Sequence, residues 1–350
     1  MSTAATNPTA TSGVEPEQHL GQLIGGYQIA ACLYAVAALN IADLLASGPR
    51  RVENLAAETK TNVDRLYRVL RALVSVGVFC EPQPRIFSLS PTAELLRSDI
   101  PGSRRAFTLF ITSPFAMHVH SHLLHSVQTG QPAIEHLYGK PAFECMSSMP
   151  DVAFAFNEGM TSISAALAPA VLNAYSLEGI DTLMDVAGGH GFFICQALER
   201  YPKMRGILLD LPSVVEGAKC AICERNMDHR CTPVAGNFFE HIPPGADAYF
   251  MQHILHDWDD AQCMTILGNA KKALAGRANG RLIAVDMVLP EGSQPHPGKM
   301  LDLTMMTFPG GRERTEHEWR ALFDKAGFAV TRIVPTTEPD CLIEAVVART

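Results

Sequence analysis

Hydrophobic residues recur along the chain with two different spacings, and the change from one spacing to the other predicts two structural parts. The first part is helical. Its clearest element follows Asn62 and Asp64, either of which can cap a helix, and ends near Gly77, a residue type that commonly terminates helices. Apolar side chains then return every three or four positions, which predicts a buried helical face made of Leu66, Val69, Leu70, Leu73 and Val74.

The residues after this helix predict a small hairpin. Two short apolar runs, 78–80 and 86–89, flank a segment that contains two prolines. Helices followed by such a hairpin form a winged-helix pattern, which we assign to residues 14–100. Residues 101–175 continue as mostly helical sequence punctuated by prolines, and we expect a connecting region that lines a substrate site.

From about residue 177, short apolar runs alternate with helical stretches. This alternation predicts an α/β architecture, in which helices cover both faces of a parallel sheet. Two further β-like runs, 328–334 and 342–347, can complete the sheet, and we assign residues 176–350 to one domain. The strands predicted in the alternating part are 182–186, 206–209, 248–251 and 282–285, with another that ends near 236–237.

Composition and charge narrow the class of protein. The chain has 350 residues, of which 47% are hydrophobic and 18% charged, which suits two domains with buried cores. A formal net charge of −8 argues against nucleic acid as the main partner.

Residues 1–13 have no signal-peptide pattern and predict a disordered tail. The apolar run 29–39 is too short to span a membrane. Nine cysteines without a disulfide framework favour a cytoplasmic location.

Polar residues stand at the carboxyl ends of five predicted strands. Ligands bind at this edge of an open α/β sheet, and five polar strand ends in succession indicate a binding site. In strand order they are Asp185, Asp210, Asn237, His256 with Asp257, and Asp286. Asp257 has a second interpretation, as the cap of a helix that begins near Trp258.

A glycine-rich loop follows the first of these strands. Its glycines let the backbone pass close to a ligand, and Asp210 stands 19 residues after Gly191, a suitable distance for an acid that binds a ribose diol. Ile194 stands where a dinucleotide fingerprint has its last glycine. These features favour a nucleoside without a pyrophosphate, and a purely structural glycine turn remains the alternative.

Four motifs occur in order along the chain: 185–191, the run Gly-Ile-Leu-Leu-Asp-Leu-Pro that ends at Pro212, His256-Asp257-Trp258, and 309–315 with the sequence Pro-Gly-Gly-Arg-Glu-Arg-Thr. In this combination the chain resembles the caffeic acid/acetylserotonin type of plant and bacterial O-methyltransferases, over nearly its whole length. The resemblance implies a Rossmann-like catalytic domain that uses S-adenosyl-L-methionine, and an N-terminal winged-helix domain that serves dimerisation. It further implies a homodimer that methylates a hydroxyl of a small aromatic or phenolic molecule in secondary metabolism.

The resemblance also implies roles for individual residues. His256 would be the catalytic base, and Asp286 and Glu313 match the two acids that flank it. Trp258 and Phe238 match positions that pack against the adenine. The cofactor-binding residues implied in this way are Asp185, Ala187, Gly188, Gly189, Gly191, Asp210, Leu211, Asn237, Phe238, Gln252, Asp257 and Trp258.

Three positions depart from the family pattern. Ala187 replaces the first glycine of the loop, Asn237 replaces an acid, and Gln252 replaces a lysine or arginine four residues before the histidine. An asparagine oxygen can accept a hydrogen bond from an adenine amino group, so we expect binding of the cofactor to be retained. The change at Gln252 removes a positive charge.

Two groups of residues suggest a metal site without establishing one. His118, His122 and His125 have the spacing of one helical face, and Cys220 and Cys223 have a spacing known from zinc sites. The histidines have no acidic neighbour, and no second pair of closely spaced cysteines accompanies the first. We therefore expect no metal.

The aromatic nature of the substrate is expected from the family and from apolar side chains that can line a pliable pocket. The same residue types are common in ordinary hydrophobic cores. The pocket candidates are Phe115, Met117, Phe156, Met160, His253, Met305, Met306 and Phe308.

Two other functions compete with O-methylation. The first keeps the fold and cofactor but methylates nitrogen or carbon, or uses the cofactor to assist decarboxylation or hydroxylation. The intact histidine and its two acids argue against it. The second is a transcription regulator that binds DNA through the winged helix, whose candidate recognition helix carries Arg65, Arg68 and Arg71. The acidic charge of the whole chain makes this alternative remote.

Overall fold

The computed structural model describes residues 15–349, so the tail predicted over 1–13 lies outside the described residues. The chain divides into two compact units, and the helical stretch predicted over 101–175 is shared between them. Within the described residues, the first unit comprises 15–118 and 146–166, and the second comprises 119–145 and 167–349.

The helices and strands up to residue 120 are α1 (Pro16–Ile24), α2 (Gly26–Ala38), α3 (Ile41–Leu44), β1 (Arg50–Arg51), α4 (Val52–Thr59), α5 (Val63–Ser75), β2 (Phe79–Gln83), β3 (Ile86–Leu89), α6 (Pro91–Glu94), α7 (Arg105–Ile111) and α8 (Pro114–His120). At the start of α5, the Oδ1 atom of Asn62 accepts a hydrogen bond of 3.1 Å from the Arg65 N–H. Asn62 rather than Asp64 is therefore the cap. Gly77 follows the helix with a φ of 77°, a conformation that glycine adopts without strain.

The predicted hairpin is confirmed. β2 and β3 are antiparallel, and β1 adds a third strand by pairing Arg50 with Phe87 of β3. Phe79 and Phe87 are buried in one hydrophobic cluster with the apolar face of α5. This packing explains why a hairpin so short is stable here.

The second part of the chain contains α9 (Leu123–Thr129), α10 (Ala133–Tyr138), α11 (Ala142–Ser147), α12 (Pro150–Ala174), β4 (Thr182–Val186), α13 (Phe192–Arg200), β5 (Arg205–Asp210), α14 (Pro212–Glu224), β6 (Cys231–Ala235), β7 (Ala248–Gln252), α15 (Asp260–Ala273), β8 (Arg281–Leu289), α16 (Gly298–Thr307), β9 (Arg314–Thr315), α17 (Glu316–Lys325), β10 (Phe328–Pro335) and β11 (Asp340–Val347). A single 3₁₀ turn, Leu255–Asp257, lies between β7 and α15.

The sheet of the second unit has the strand order β10-β11-β8-β7-β4-β5-β6, and the short β9 pairs with the end of β8. The strands β6, β5, β4, β7 and β8 are parallel, whereas β11 and β10 return antiparallel. Every strand predicted in this region is present, and the α/β fold class is confirmed. The antiparallel return of the last two strands was not predicted.

Helices cover both faces of this sheet, which explains the nearly continuous apolar runs of its central strands. Neighbouring residues of β4 point to opposite faces, since Leu183 belongs to one hydrophobic cluster and Met184 to another. On the first face Phe193 of α13 stacks on Phe250 of β7, with ring centroids 3.8 Å apart. On the second face Trp319 of α17 is fully buried.

One local prediction is wrong, and one of the two interpretations left open for Asp257 is excluded. His118, His122 and His125 do not share one helical face, because α8 ends at His120 and α9 begins at Leu123. The turn between them is closed by the His122 N–H, which donates to the Val119 carbonyl.

Asp257 does not cap α15. That helix starts at Asp260 and is capped by Asp259, whose Oδ1 accepts a 2.7 Å hydrogen bond from the Gln262 N–H.

Within residues 15–349, no single helix has the length and apolar character to cross a membrane. The bent pair α1 and α2, with 42° between the two helices, meets those criteria of length and composition only.

Candidate active site

The carboxyl ends of the parallel strands meet along one edge of the sheet. β4 lies between β5 and β7, which sets Asp185 opposite Leu208 on one side and Phe250 on the other. β7 pairs in turn with β8, where Gln252 lies opposite Val285. The polar residues at or just after the strand ends are therefore gathered along this edge, as the parallel arrangement requires. Asp286, predicted to end its strand, instead lies within β8, which continues to Leu289.

The backbone of the loop after β4 is left-handed at three positions and closely packed at a fourth. Ala187, Gly189 and Gly191 have φ angles of 57°, 57° and 78°. A Cβ atom on Gly188 would come within 2.6 Å of the Asp185 Oδ2 atom. Ala187 is the position where the resemblance expects a glycine, and its left-handed backbone costs roughly 1 kcal/mol. The strain is tolerated in a loop whose remaining glycines leave room beside the backbone.

Asp210 is held by two backbone amides. Its Oδ2 accepts a hydrogen bond of 2.8 Å from the Gly189 N–H, and its Oδ1 accepts one of 2.7 Å from the Leu211 N–H. Burial raises the pKa of Asp210, while these two amides and the nearby His190 oppose the rise. Each carboxylate oxygen keeps a further lone pair, so the side chain can still bind a diol.

Several buried polar atoms near this edge lack a hydrogen-bond partner within the described part of the chain. One is Asp185 Oδ2, and burial, reinforced by Asp210, raises the pKa of Asp185 to about 7. The others are Trp258 Nε1, Glu313 Oε2 and both carboxylate oxygens of Asp286. Buried polar groups are normally paired, so these atoms mark a place that a ligand with donors and acceptors fits.

A cluster of aromatic side chains lies near the ends of β6 and β7. The Trp258 ring contacts those of Phe238, Phe239 and Phe143, with centroid distances of 6.1, 4.7 and 5.5 Å. Asn237, one of the three positions that differ from the family pattern, accepts a 3.0 Å hydrogen bond from the Phe239 N–H and donates one of 3.3 Å to Glu240. Trp258 and Phe238 were predicted, whereas Phe143 and Phe239 were not.

His256 is buried and its ring nitrogens face three carboxyl groups. The Nδ1 atom is hydrogen-bonded to Glu313 Oε1 at 2.6 Å and lies 3.7 Å from Asp286 Oδ1. The Nε2 atom lies 3.6 Å from Asp257 Oδ1. The structure thus brings the predicted histidine and both predicted acids together, and adds Asp257 on the other side of the ring.

These neighbouring charges shift the pKa values of His256 and of the acids around it. Burial by itself lowers the pKa of His256, but the charges of Glu313, Asp257 and Asp286 raise it to about 10. Burial raises the pKa of Asp286 to about 7 and that of Asp257 to about 6, against the opposing charge of His256. The arrangement therefore stabilises a proton on the imidazole.

The loop before β9 brings Glu313 to the histidine. Gly311 packs against the backbone of His256, and the Arg312 N–H donates a 2.8 Å hydrogen bond to the His256 carbonyl. The Glu313 N–H donates one of 2.8 Å to Asp302 Oδ1 of α16. The backbone that carries Glu313 is therefore held at two successive residues.

Arg314 holds the turn that carries the histidine. Its side chain is 1% exposed, and its guanidinium donates to the carbonyl oxygens of Leu255 and Trp258, each at 3.1 Å. It also forms a 2.7 Å ion pair with Asp260. The sequence showed this arginine only as part of a charged motif, because its partners lie more than fifty positions away.

A second imidazole and carboxylate lie beside the first. His253, predicted for the substrate pocket, has its Nε2 2.7 Å from Asp340 Oδ1. Its ring stacks near that of His256, with centroids 5.2 Å apart and an angle of 21° between the planes. Asp340 was not predicted, since an acid at the start of a C-terminal strand gives no local signal.

The other pocket candidates are divided between the two units. In the second unit Met305 and Phe308 are buried, Met306 is half-buried, and the Phe308 ring packs edge-on against His120 with centroids 5.3 Å apart. In the first unit the candidates are half-buried, and they comprise Phe115, Met117, Phe156 and Met160.

No group of three or more histidine, cysteine or acidic side chains within residues 15–349 has the arrangement of a metal site. Cys220 and Cys223 are exposed on α14.

Comparison with known proteins identifies two family models along the chain. Residues 120–329 match the O-methyltransferase domain, and residues 21–99 match the O-methyltransferase dimerisation domain. The second match covers the winged-helix region described above.

Two relatives cover nearly the whole chain. The phenazine O-methyltransferase PhzM of Lysobacter antibioticus is 39% identical over 93% of this chain and 94% of its own length. The 8-amino-8-demethylriboflavin N,N-dimethyltransferase of Streptomyces davaonensis is 32% identical over 94% of this chain and 96% of its own length.

Two solved structures show the same fold. The crystal structure of LaPhzM has a TM-score of 0.88 and 38% identity, over 95% of this chain and 99% of that one. The calicheamicin methyltransferase CalO1, solved in its SAH-bound form, has a TM-score of 0.83 and 32% identity, over 96% of this chain and 100% of that one. Together with the strand-end acids and the buried histidine, these matches show that the chain is an enzyme of the O-methyltransferase family.

Proposed function

We propose that this enzyme transfers a methyl group from S-adenosylmethionine to a hydroxyl of a small aromatic molecule, with His256 as the general base. The observation that carries the proposal is the 2.6 Å hydrogen bond between His256 Nδ1 and Glu313 Oε1 in a buried site. When Nδ1 donates its proton to Glu313, the lone pair of a neutral imidazole is at Nε2. Nε2 is then the atom that accepts the hydroxyl proton of the substrate.

The residues at the strand ends fit the cofactor. Asp210 would bind the ribose diol, the aromatic group around Trp258 would pack against the adenine, and the unsatisfied oxygen of Asp185 would pair with a donor of the methionine part. S-adenosylmethionine would supply an electrophilic methyl group on a positively charged sulfur, and that charge disfavours a second cation in the same buried site. His256 would therefore release its own proton more readily in the loaded enzyme, which frees Nε2 to act as a base.

The acids around His256 suit the energetics of the reaction. A phenol has a pKa of about 10 and an unperturbed histidine one of about 6.5, so full proton transfer between them in water is uphill by about 5 kcal/mol. Glu313, Asp257 and Asp286 raise the pKa of His256, and this acts in the direction that narrows the difference. S-adenosylmethionine would supply the methyl group to the hydroxyl oxygen and leave as S-adenosylhomocysteine, and His256 would take up the hydroxyl proton at Nε2. The imidazolium that results is stabilised by Glu313 and Asp286.

The substrate class is inferred from the relatives and from the apolar residues of α16. Phenazine O-methyltransferase acts on a fused aromatic ring by its name, and Met305, Met306 and Phe308 form an apolar, polarisable group at the end of α16 that would line a pocket for a flat molecule. We expect a hydroxyl on a fused or substituted aromatic ring as acceptor. Methylation of a ring amine is the second candidate, since one relative is an N,N-dimethyltransferase.

We also propose that the enzyme is a homodimer. The dimerisation model covers residues 21–99, and large apolar side chains on α1 and α2 are exposed, with 58%, 64%, 65% and 62% of the surface open at Leu20, Leu23, Ile24 and Tyr27. Exposed apolar surface of this extent marks an interaction site.

The proposed reaction is tested by incubating the full-length protein with S-adenosylmethionine and a panel of catechols, hydroxyquinones, phenolic acids and hydroxyphenazines, with the matching amines alongside. Mass spectrometry should find one methyl group added per S-adenosylhomocysteine released, on an oxygen. Preference for an amine over its hydroxyl analogue would favour the second candidate. Complete conversion of a substrate with unreacted cofactor would contradict both.

A further inference from the structure

A histidine that the proposed reaction does not use lies directly beside the one that it does. His253 follows β7, and its N–H continues the ladder by donating a 2.9 Å hydrogen bond to the Val285 carbonyl of β8. Its φ of 55° is a left-handed conformation, which is unfavourable for a residue with a Cβ atom. The His253 ring is inclined by 21° to the His256 ring, and the two ring centroids are 5.2 Å apart.

Asp340 holds the His253 ring from the opposite side. The side chains are 17% and 7% exposed, and their 2.7 Å ion pair joins the end of β7 to the start of β11. Asp340 pairs with Met287 of β8 in the sheet, and Thr336 donates a 2.9 Å hydrogen bond to its carbonyl. The sheet register therefore determines where the carboxylate stands.

The ion pair favours the charged form of His253. Burial by itself lowers the pKa of His253, but the hydrogen bond and charge of Asp340 raise it overall, while the charge of His256 opposes the rise. Burial likewise raises the pKa of Asp340, and the pairing with His253 lowers it overall. An isolated buried pair of this kind is weak evidence for stability, because a packed apolar pair often stabilises a fold at least as well. In this pair His253, the positive member, lies next to His256, and Asp340, the negative member, lies on the far side. This geometry points to an effect of the pair on His256.

The charges that face His256 come from four elements of the second unit. The 3₁₀ turn, β8 and the loop before β9 bring negative charges, and the end of β7 brings a positive one. These groups are Asp257, Asp286, Glu313 and His253, respectively. Three carboxylates favour the imidazolium strongly, whereas a base must be able to release its proton. A cationic ring at His253 counteracts part of that excess negative charge.

We propose that His253, paired with Asp340, is a positioning residue for His256: it supports one face of the imidazole and makes the release of a proton from Nε2 easier. This inference rests on the function proposed above, because it assumes that His256 acts as a base. His253 then acts through His256, and Asp340 acts through His253.

The test uses two variants and a control in the full-length protein. Asp340→Asn keeps the side-chain shape but removes the charge that favours the cationic form of His253. His253→Asn removes the ring and retains a residue type that tolerates the left-handed backbone. Asp324→Asn makes the same change of charge on the exposed surface of α17 and serves as the control. The titration of His256 is followed by NMR on histidine-labelled protein, with its signal assigned from His256→Gln.

We expect the His256 titration midpoint to rise by about one pH unit in Asp340→Asn and in His253→Asn, and to stay unchanged in Asp324→Asn. On an acceptor that the wild type methylates, the acid limb of kcat/KM should move up by the same amount, with KM changed less than about threefold. A merely structural role would lower the Tm and leave the midpoint in place. Should one variant not fold, the other gives the same measurement.

An unchanged midpoint in the folded variants would overturn the proposal. The NMR titration needs no substrate, so it decides whether His253 affects His256 even if the wild type transfers no methyl group. Failure of methyl transfer with a shifted midpoint would count against the proposed function alone. Methyl transfer with an unchanged midpoint would count against the role of His253 alone.

Discussion

Gly311 lies against the backbone of His256 so closely that a Cβ atom at position 311 would overlap the His256 carbonyl oxygen. The neighbouring Arg312 N–H donates a 2.8 Å hydrogen bond to that same oxygen. The contact places the next residue, Glu313, at the His256 ring. The glycine is thus the reason that two segments distant in sequence form one catalytic group.

Replacing this glycine should damage the active site. In Gly311→Ala the added methyl group must displace the backbone of His256 or of its own loop, and we expect a loss of roughly 2–4 kcal/mol in stability and a fall in kcat of at least about tenfold. Gly268→Ala is the matched control, because a Cβ there meets nothing within 4 Å inside α15. It should stabilise the protein by about 0.5–1 kcal/mol. Chemical denaturation and steady-state kinetics measure both effects, and equal behaviour of the two variants would contradict this account.

Arg314 should matter far more than its ion-pair partner. In Arg314→Met the carbonyl groups of Leu255 and Trp258 lose their buried donor, which should cost roughly 2–5 kcal/mol. Asp260→Asn alters only the more exposed end of the ion pair, with 56% of the Asp260 side chain open, and should cost about 1 kcal/mol or less. Urea denaturation of the two variants should separate them. Comparable losses would mean that the ion pair, not the turn, is what Arg314 stabilises.

Replacing Asp286 by asparagine should raise the stability of the protein and lower its activity. Burial raises its pKa to about 7, although the charge of His256 opposes the rise. A carboxyl with a pKa above its unfolded value of about 3.9 favours the folded state at low pH, and this contribution is lost as pH rises through about 7. Asp286→Asn should therefore raise the Tm by about 2–6 °C at pH 8 relative to wild type, and by less at pH 5. The same variant should lower kcat, since the imidazolium loses one stabilising charge.

A calorimetric comparison at the two pH values checks the effect of Asp286. Equal shifts in Tm at pH 5 and pH 8 would contradict the assignment of a buried charge at this position.

Glu313 should set both the orientation and the proton affinity of the base. In Glu313→Gln the main charge that raises the pKa of His256 is removed, so the acid limb of the kcat/KM profile should move to lower pH. The amide can also donate to Nδ1, which favours a proton on Nε2, and kcat should fall by roughly 10²- to 10⁴-fold. Glu316→Gln makes the same change on the exposed start of α17 and should leave the profile as it is. A Glu313→Gln profile that superimposes on that of wild type would contradict the assigned hydrogen bond.

Much of the fold could be predicted because its signals are local. Parallel strands covered on both faces are short apolar runs, and β4 was predicted with its observed bounds for that reason. The residue after such a strand lies at the ligand-binding edge whatever the rest of the chain does. The sequence pattern alone therefore places Asp185 and Asp210 at that edge, whereas Asp286 was predicted to follow its strand and lies within β8.

The rest depends on long-range register that the sequence pattern does not carry. Asp340 meets His253 only because β11 returns antiparallel beside β8, a direction that two apolar runs near the end do not specify. Asp257 was open to two interpretations, because the true cap of α15, Asp259, is an acid two positions further on. Arg314 acts through carbonyl oxygens, which have no signature in sequence.

The role of His256 as the base is the central claim, and one variant tests it directly. His256→Ala should lower kcat by at least about 100-fold on the acceptor identified for the wild type. Calorimetric titration should find the dissociation constant for S-adenosylhomocysteine within about threefold of wild type, because the proposed cofactor contacts come from other residues. His317→Ala, on the exposed face of α17, is the control and should be unaffected. A His256→Ala enzyme with the turnover of wild type would contradict the central claim.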